Sequence, residues 1–265
     1  MAKVETLTSP QNPFLKDVRR AARSGGLTED GFCLAESFHL LNEALRSHRP
    51  IGAVLAAQSV GPEVERLLEP WPALRLVVVP EKSFEGLAAT EASQGVLALV
   101  RLPAWNLGQV LGALPLVVVL DGIQDPGNAG AIVRAAEAFH ASGLIFVKGT
   151  ANPHNPKTIR ASAGSIFRVP LIQGLAAEEV RSALAGKKVT LFAAVSSGGR
   201  PVHEADWTQA SAIIIGNEGR GISDSLQKGA ATVSIPTDRV ESLNAAMAAG
   251  ILLYEARRQR MERGM

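Results

Sequence analysis

Three segments place chemically capable side chains where plain turn residues would suffice. The first is Asp125-Pro-Gly-Asn-Ala-Gly130, continuing Ala-Ile-Val-Arg134. Pro126 and Gly127 are turn formers, and Asn128 can cap the helix that follows. A helix N-terminus receives anions. Arg134 lies among Ile132, Val133, Ala135 and Ala136. A guanidinium in such surroundings is costly unless it meets an anion, so Arg134 outweighs the plain reading of turn, cap and snorkelling side chain. The second segment is Ile215-Gly-Asn-Glu-Gly-Arg-Gly-Ile-Ser223. Its glycines imply close backbone approach to a ligand or turns with positive φ, and Glu218 is a poor choice for a mere turn. The spacing is neither a dinucleotide fingerprint nor a phosphate-binding P-loop. The third is Ser234-Ile-Pro236, then Glu241-Ser-Leu-Asn244 at the start of the last helix. There Ser242 can serve as N-cap, with Asn244 in the first turn.

The elements around these segments alternate. Strand-like runs at 31–37, 51–57, 74–80 and 95–100, with helical stretches at 39–46 and 63–68, predict a small α/β unit over residues 1–100. Residues 101–114 break the rhythm with a Pro, a Trp and two Gly, and read as a linker with room for a short helix. A second α/β unit over 115–265 opens on Leu116–Leu120, an apolar run typical of a strand buried on both faces. Its helices are expected at 131–140, 176–185 and about 242–260, its strands at 144–147, 169–172, 189–195, 212–215 and 232–235. In parallel α/β sheets ligands bind outside the carboxyl ends of strands, which is where the three segments fall. On the last helix Leu243, Met247, Ile251 and Tyr254 share a face with Ala246 and Gly250, more apolar surface than one side of a monomer core needs, which suggests a dimer contact.

Composition narrows the class. Of 265 residues, 46% are apolar and 20% charged, an ordinary globular balance. No apolar run is long enough for a membrane span, and the polar start is no secretory signal. The single cysteine, Cys33, forms no intrachain disulfide and fits a reducing cytoplasm; the five histidines lack ligand spacing, so no metal is expected. The net charge of +2 conceals clusters: Lys16, Arg19, Arg20 and Arg23 near the start, and Arg257, Arg258 and Arg260 at the end. Such clusters can bind phosphate, although a solvated helix face and a helix C-terminus explain them as simply.

Taken together the three segments resemble the SpoU (TrmH) family of RNA ribose 2′-O-methyltransferases, in the SPOUT superfamily. Its first motif matches Asn128, Gly130 and Arg134, its second Gly216, Glu218 and Gly219, and its third Ile235, Pro236, Ser242, Leu243 and Asn244. The match covers about 115–262. The first 100 residues resemble, more loosely, the family's ribosomal-protein-like RNA-binding domain, with one departure: Ser37 follows Glu36 where the family often has Gly.

The resemblance implies a C-terminal parallel-sheet domain with a deep trefoil knot, a homodimer with active sites at the subunit interface, and S-adenosylmethionine as cofactor against Gly216, Ile235 and Leu243, with the loop starting at Val195 nearby. It implies a catalytic set of Arg134, Asn128, Glu218, Ser242 and Asn244, with Arg134 central. A guanidinium holds its proton, so Arg134 is expected to pair with the target phosphate and stabilise the forming alkoxide, while the phosphate or a water takes the proton. RNA capture falls to Lys16, Arg19, Arg20 and Arg23, with ribosomal RNA preferred over tRNA. The rival readings are a non-catalytic RNA-binding protein on the same scaffold and a nucleotide-binding α/β enzyme.

Overall fold

Buried runs of Val, Ile and Leu set the sheets, and Asx or Pro residues open most of the helices. A computed structural model describes residues 3–88 and 93–264, in two compact units: 1–103 with 154–167, and 104–153 with 168–265.

In the first unit the elements are β1 (Lys3–Thr6), α1 (Pro13–Ser24), β2 (Cys33–Glu36), α2 (Phe38–Arg46), β3 (Ile51–Ala57), α3 (Gly61–Leu67), β4 (Arg75–Val79), α4 (Glu81–Glu85) and β5 (Val96–Val100). The sheet order is β1-β4-β3-β5-β2. β1, β4 and β3 run parallel, while β5 is antiparallel to β3 and β2, so crossovers alone do not describe this sheet. β3 has the bounds its sequence predicts. β2 is shorter than its alternation suggests, because all four residues are buried and Ser37 leaves the strand at φ 144° to cap α2, accepting from the Leu40 amide at 3.1 Å. That φ favours glycine, which accounts for the family's preference: here a cap is gained at the cost of backbone strain. Cys33 is fully buried and donates to the Val100 carbonyl; burial pushes its thiol up to about 12, so it is inert.

The second unit holds α5 (Leu107–Leu111), β6 (Leu116–Asp121), α6 (Pro126–Ala138) and β7 (Gly143–Val147). Then comes α7 (Pro156–Ala161), whose segment folds with the first unit. It has no periodic apolar pattern to announce it, yet Pro156, Thr158 and Ile159 are buried. The second unit resumes with β8 (Leu171–Leu175), α8 (Ala177–Gly186), β9 (Thr190–Ala194), β10 (Arg200–Pro201), β11 (Ser211–Gly216), α9 (Asp224–Gln227), β12 (Ala231–Ser234) and α10 (Ala245–Glu262). All seven strands are parallel, in the order β10-β12-β9-β11-β6-β7-β8. The expected linker is partly built in: Asn106 and Gln109 form a capping box on α5, whose Val110 and Leu111 join the core of this unit.

Two expected caps move. Asp125, not Asn128, caps α6, because Pro126 suits the first helical position and the helix opens five residues earlier than expected. Asn244, not Ser242, caps α10, its Oδ1 accepting from the amides of Ala246 and Met247. The apolar surface of α10 also divides. Ala249, Leu252, Leu253 and Ala256 are buried, whereas Met247, Tyr254 and Met261 form an outer stripe, 57%, 56% and 60% exposed.

The C-terminal basic cluster has two fates. Arg258 pairs with Glu255 and Glu262. Arg260 is buried and donates to the carbonyls of Leu114, Pro115, Trp207 and Gln209, tying the end of α10 to the segments entering β6 and β11. Burial pushes its guanidinium below its usual pKa range. Arg260→Met should cost about 2–4 kcal/mol in denaturant unfolding, since it strands four carbonyl acceptors; an unchanged unfolding midpoint would show that the clamp carries no stability.

Candidate active site

β6 and β11 are neighbours in the sheet, so their following loops lie side by side. Asn217 joins them: its Nδ2 donates to the Gly122 carbonyl at 2.8 Å, and its Oδ1 accepts from the Gly219 and Arg220 amides at 2.9 Å. Asn217 and Gly221 also exchange backbone hydrogen bonds. Below this turn Ser223 N donates to Asp121 Oδ2 at 2.7 Å. Gly216 is required by space. A Cβ there would stand 2.5–2.7 Å from the backbone of Gly221 and Ile222.

Because Asp125 accepts from the Asn128 amide at 2.7 Å, the Asn128 side chain is released from capping. Its Nδ2 donates to Glu218 Oε1 at 2.8 Å, and its Oδ1 accepts from Asn244 Nδ2 at 2.9 Å. One hydrogen-bonded chain, Asn244–Asn128–Glu218, therefore links the loops that follow β12, β6 and β11. The capping of α10 leaves Asn244 only its amide nitrogen for this, which fixes the direction of every bond in the chain.

Beside it opens a cavity of about 740 Å³, within the ordinary range for small-molecule sites. Val195, Ile215, Gly216, Ile235, Leu243 and Leu252 give it apolar and backbone surface; Glu218, Arg220, Glu241, Ser242 and Asn244 give it polar groups. Val195, Gly216, Ile235 and Leu243, the expected cofactor contacts, all border it. Gly199 belongs to the same construction: a Cβ there would meet the Val233 carbonyl carbon at 2.8 Å.

Two expected members differ from their expected places: Ser242 borders the cavity without capping a helix, and only Arg134 stands apart from it. Ser242 is exposed at the rim and caps nothing. Arg134 is exposed rather than semi-buried; among the described residues it has no hydrogen bond or ion pair, and it does not border the cavity. On α1, Lys16, Arg20 and Arg23 are exposed and Arg19 half-buried, opposite a face of Leu15, Val18 and Ala21. Arg20 is partly neutralised by Asp17. Asn217 and Asp125 are organisers that composition does not single out; the signal for both is an Asx beside glycine or proline in a loop after a buried strand.

Residues 115–254 match the SpoU rRNA Methylase family, and 35–105 match the family described as RNA 2′-O ribose methyltransferase substrate binding. The chain belongs to the SpoU rRNA methylase family. The 23S rRNA (guanosine(2553)-2′-O)-methyltransferase RlmP of Bacillus subtilis is 28% identical over 96% of this chain and 100% of its own. The 23S rRNA (uridine(2479)-2′-O)-methyltransferase of Streptomyces viridochromogenes is 35% identical over 71% of this chain and 68% of its own. Among solved structures, the SpoU methyltransferase AviRb of Streptomyces viridochromogenes, in complex with AdoMet, superposes with a TM-score of 0.83 at 28% identity, covering 95% of this chain and 99% of that one. The protein is thus an RNA 2′-O-methyltransferase. In this SpoU methylase Asn128→Asp should lower kcat about 10–100-fold, because the new carboxylate loses its donor and faces Glu218; single-turnover methyl transfer measures it, and wild-type rates would deny the chain a part in the reaction.

Proposed function

We propose that the chain transfers the methyl group of S-adenosylmethionine to a ribose 2′-hydroxyl of ribosomal RNA, acting in the cytoplasm as a homodimer. The observation that carries this is the Asn244–Asn128–Glu218 chain standing at a cavity bordered by both Gly216 and Leu243. The residues fit the cofactor: apolar walls suit an adenine, and at Gly216 and Gly199 backbones pack so closely that a side chain has no room. When bound, S-adenosylmethionine supplies an electrophilic methyl group already activated by its sulfonium.

The chain's own residues then have to place and activate the acceptor oxygen. Alignment alone supplies about 7–11 kcal/mol in ideal cases. Asn128, oriented by Asn244 and Glu218, holds the nucleotide or the partner's Arg134; Ser242 hydrogen-bonds the substrate at the rim. Arg134 pairs with the target phosphate and stabilises the forming alkoxide, and the phosphate or a water receives the proton. Since Arg134 does not border its own chain's cavity, it serves the partner's site, and the outer α10 stripe of Met247, Tyr254 and Met261 is the surface that pairs. Residues 1–100, with Lys16, Arg19, Arg20 and Arg23, capture RNA; 101–114 connect to a catalytic domain over 115–265. The deep trefoil knot belongs to the same proposal, supported by the closure of the loops after β11 and β12 and of α10 around one cavity.

The test is transfer of labelled methyl to 23S rRNA and to tRNA from cells lacking the protein. Label should enter 23S rRNA and appear in alkali-resistant dinucleotides. Alkali-sensitive label would sink ribose as acceptor, label in tRNA alone would sink rRNA, and absence of S-adenosylmethionine binding in calorimetry would leave an RNA-binding protein.

A further inference from the structure

Arg220 is basic, and among the described residues bordering the cavity it alone is. Its backbone is pinned: its amide donates to Asn217 Oδ1 at 2.9 Å, and Gly219 and Gly221 flank it in a loop that Asn217 ties to Gly122. Its side chain is exposed, and among the described residues no hydrogen bond or ion pair engages the guanidinium. Nearby, Glu218 Oε1 accepts from Asn128, and among the described residues no ion pair joins Glu218 to Arg220. A fork of five donors thus stands on a fixed base at the solvent side of the cavity, unsatisfied by the protein.

We propose that Arg220 grips a backbone phosphate of the substrate RNA beside the target ribose, as a substrate-binding residue of the methylase. This rests on the function proposed above. Besides the cavity's own Glu218 and Glu241, neither of which pairs with Arg220 among the described residues, two ligand anions could meet this guanidinium: an RNA phosphate and the carboxylate of the methyl donor. Exposure favours the RNA, which arrives from solvent, because the Arg220 side chain is itself exposed at the solvent side of the cavity. The planar fork matches a phosphate in bidentate fashion, which an ammonium does not. It also complements Arg134, which the single chain leaves away from this cavity.

The experiment compares wild type, Arg220→Ala and Arg220→Lys, each checked for an unchanged melting temperature. RNA binding is titrated against salt, and S-adenosylmethionine binding is measured by calorimetry. Arg220→Ala should raise Kd and KM for RNA about tenfold, the scale of one charge-assisted contact, and lower the salt slope by roughly 0.7–1. Arg220→Lys should restore the slope but only part of the affinity. Affinity for S-adenosylmethionine should stay within about twofold, as for a group that touches only RNA. A matching loss of S-adenosylmethionine affinity with RNA binding intact would assign Arg220 to the carboxylate and overturn the proposal. So would unchanged binding of both. If RNA binding depends on Arg220 but the wild type transfers no methyl group, the function fails and the phosphate grip stands.

Discussion

Arg134→Lys is expected to lower kcat for methyl transfer by about 100–1,000-fold, the range for removing one donor from a developing oxyanion. S-adenosylmethionine affinity should hardly change, because Arg134 lies outside the cavity that its own chain forms. Lysine keeps the charge and loses the fork, so near-full activity would remove Arg134 from the role proposed for it. Geometry explains why the residue stands apart. At about 100° per residue, the six steps from Asn128 turn the helix by roughly 600°, so Arg134 points about 240° round the axis from Asn128 and cannot share its face. α6 and α10 pack together, with Phe139 and Tyr254 edge to face at 5.8 Å, and Tyr254 belongs to the exposed stripe. The proposed pairing of two copies through that stripe requires Arg134 to reach the partner's cavity. Mixing an Arg134→Ala protomer with a Gly216→Val protomer should therefore restore about a quarter of wild-type activity, since half the random dimers carry one intact shared site. Mixtures that stay inactive, together with a monomer in sedimentation, would refute a site shared between chains.

What could be read from the sequence follows from what leaves a local trace. Strands buried on both faces are continuous β-branched runs, so β3, β6 and β11 fall within a residue or so of their expected bounds. The helix starts do not. Asp125 and Asn128, like Ser242 and Asn244, are two competent caps within one turn, and sequence alone does not say which binds the backbone amides. The choice matters, because the residue that loses the cap at α6 is the one free to join Glu218. At α10 the cap itself does both jobs, since an asparagine has a donor left after its oxygen is spent. The segment 154–167 was illegible for another reason. Its burial is created by the first unit, far away in sequence, so no periodicity within the segment records it.

Gly216→Ala should abolish most S-adenosylmethionine binding, by about 100-fold or more, and cost about 1–3 kcal/mol of stability, the usual cost of overpacking. The added Cβ would sit 2.5 Å from the Gly221 carbonyl carbon and 2.6 Å from the Ile222 nitrogen. Neither is the movable end of a side chain. Either the end of β11 or the whole 217–223 turn must shift, and that turn carries Glu218 in the hydrogen-bonded chain and Arg220 at the rim. Hydrogen bonds lose most of their strength over such displacements, so Asn128 would lose the partner that orients it. Gly221 provides the control in the same loop. It has φ 72° but nothing within 4 Å of its Cβ position, so Gly221→Ala meets strain without a clash. That strain is about 1–2 kcal/mol, with the cavity intact. Calorimetry with S-adenosylmethionine and denaturant unfolding of both variants separate the two effects. If Gly221→Ala loses the cofactor as completely as Gly216→Ala, backbone conformation rather than close packing shapes the site; if neither does, the cofactor binds elsewhere.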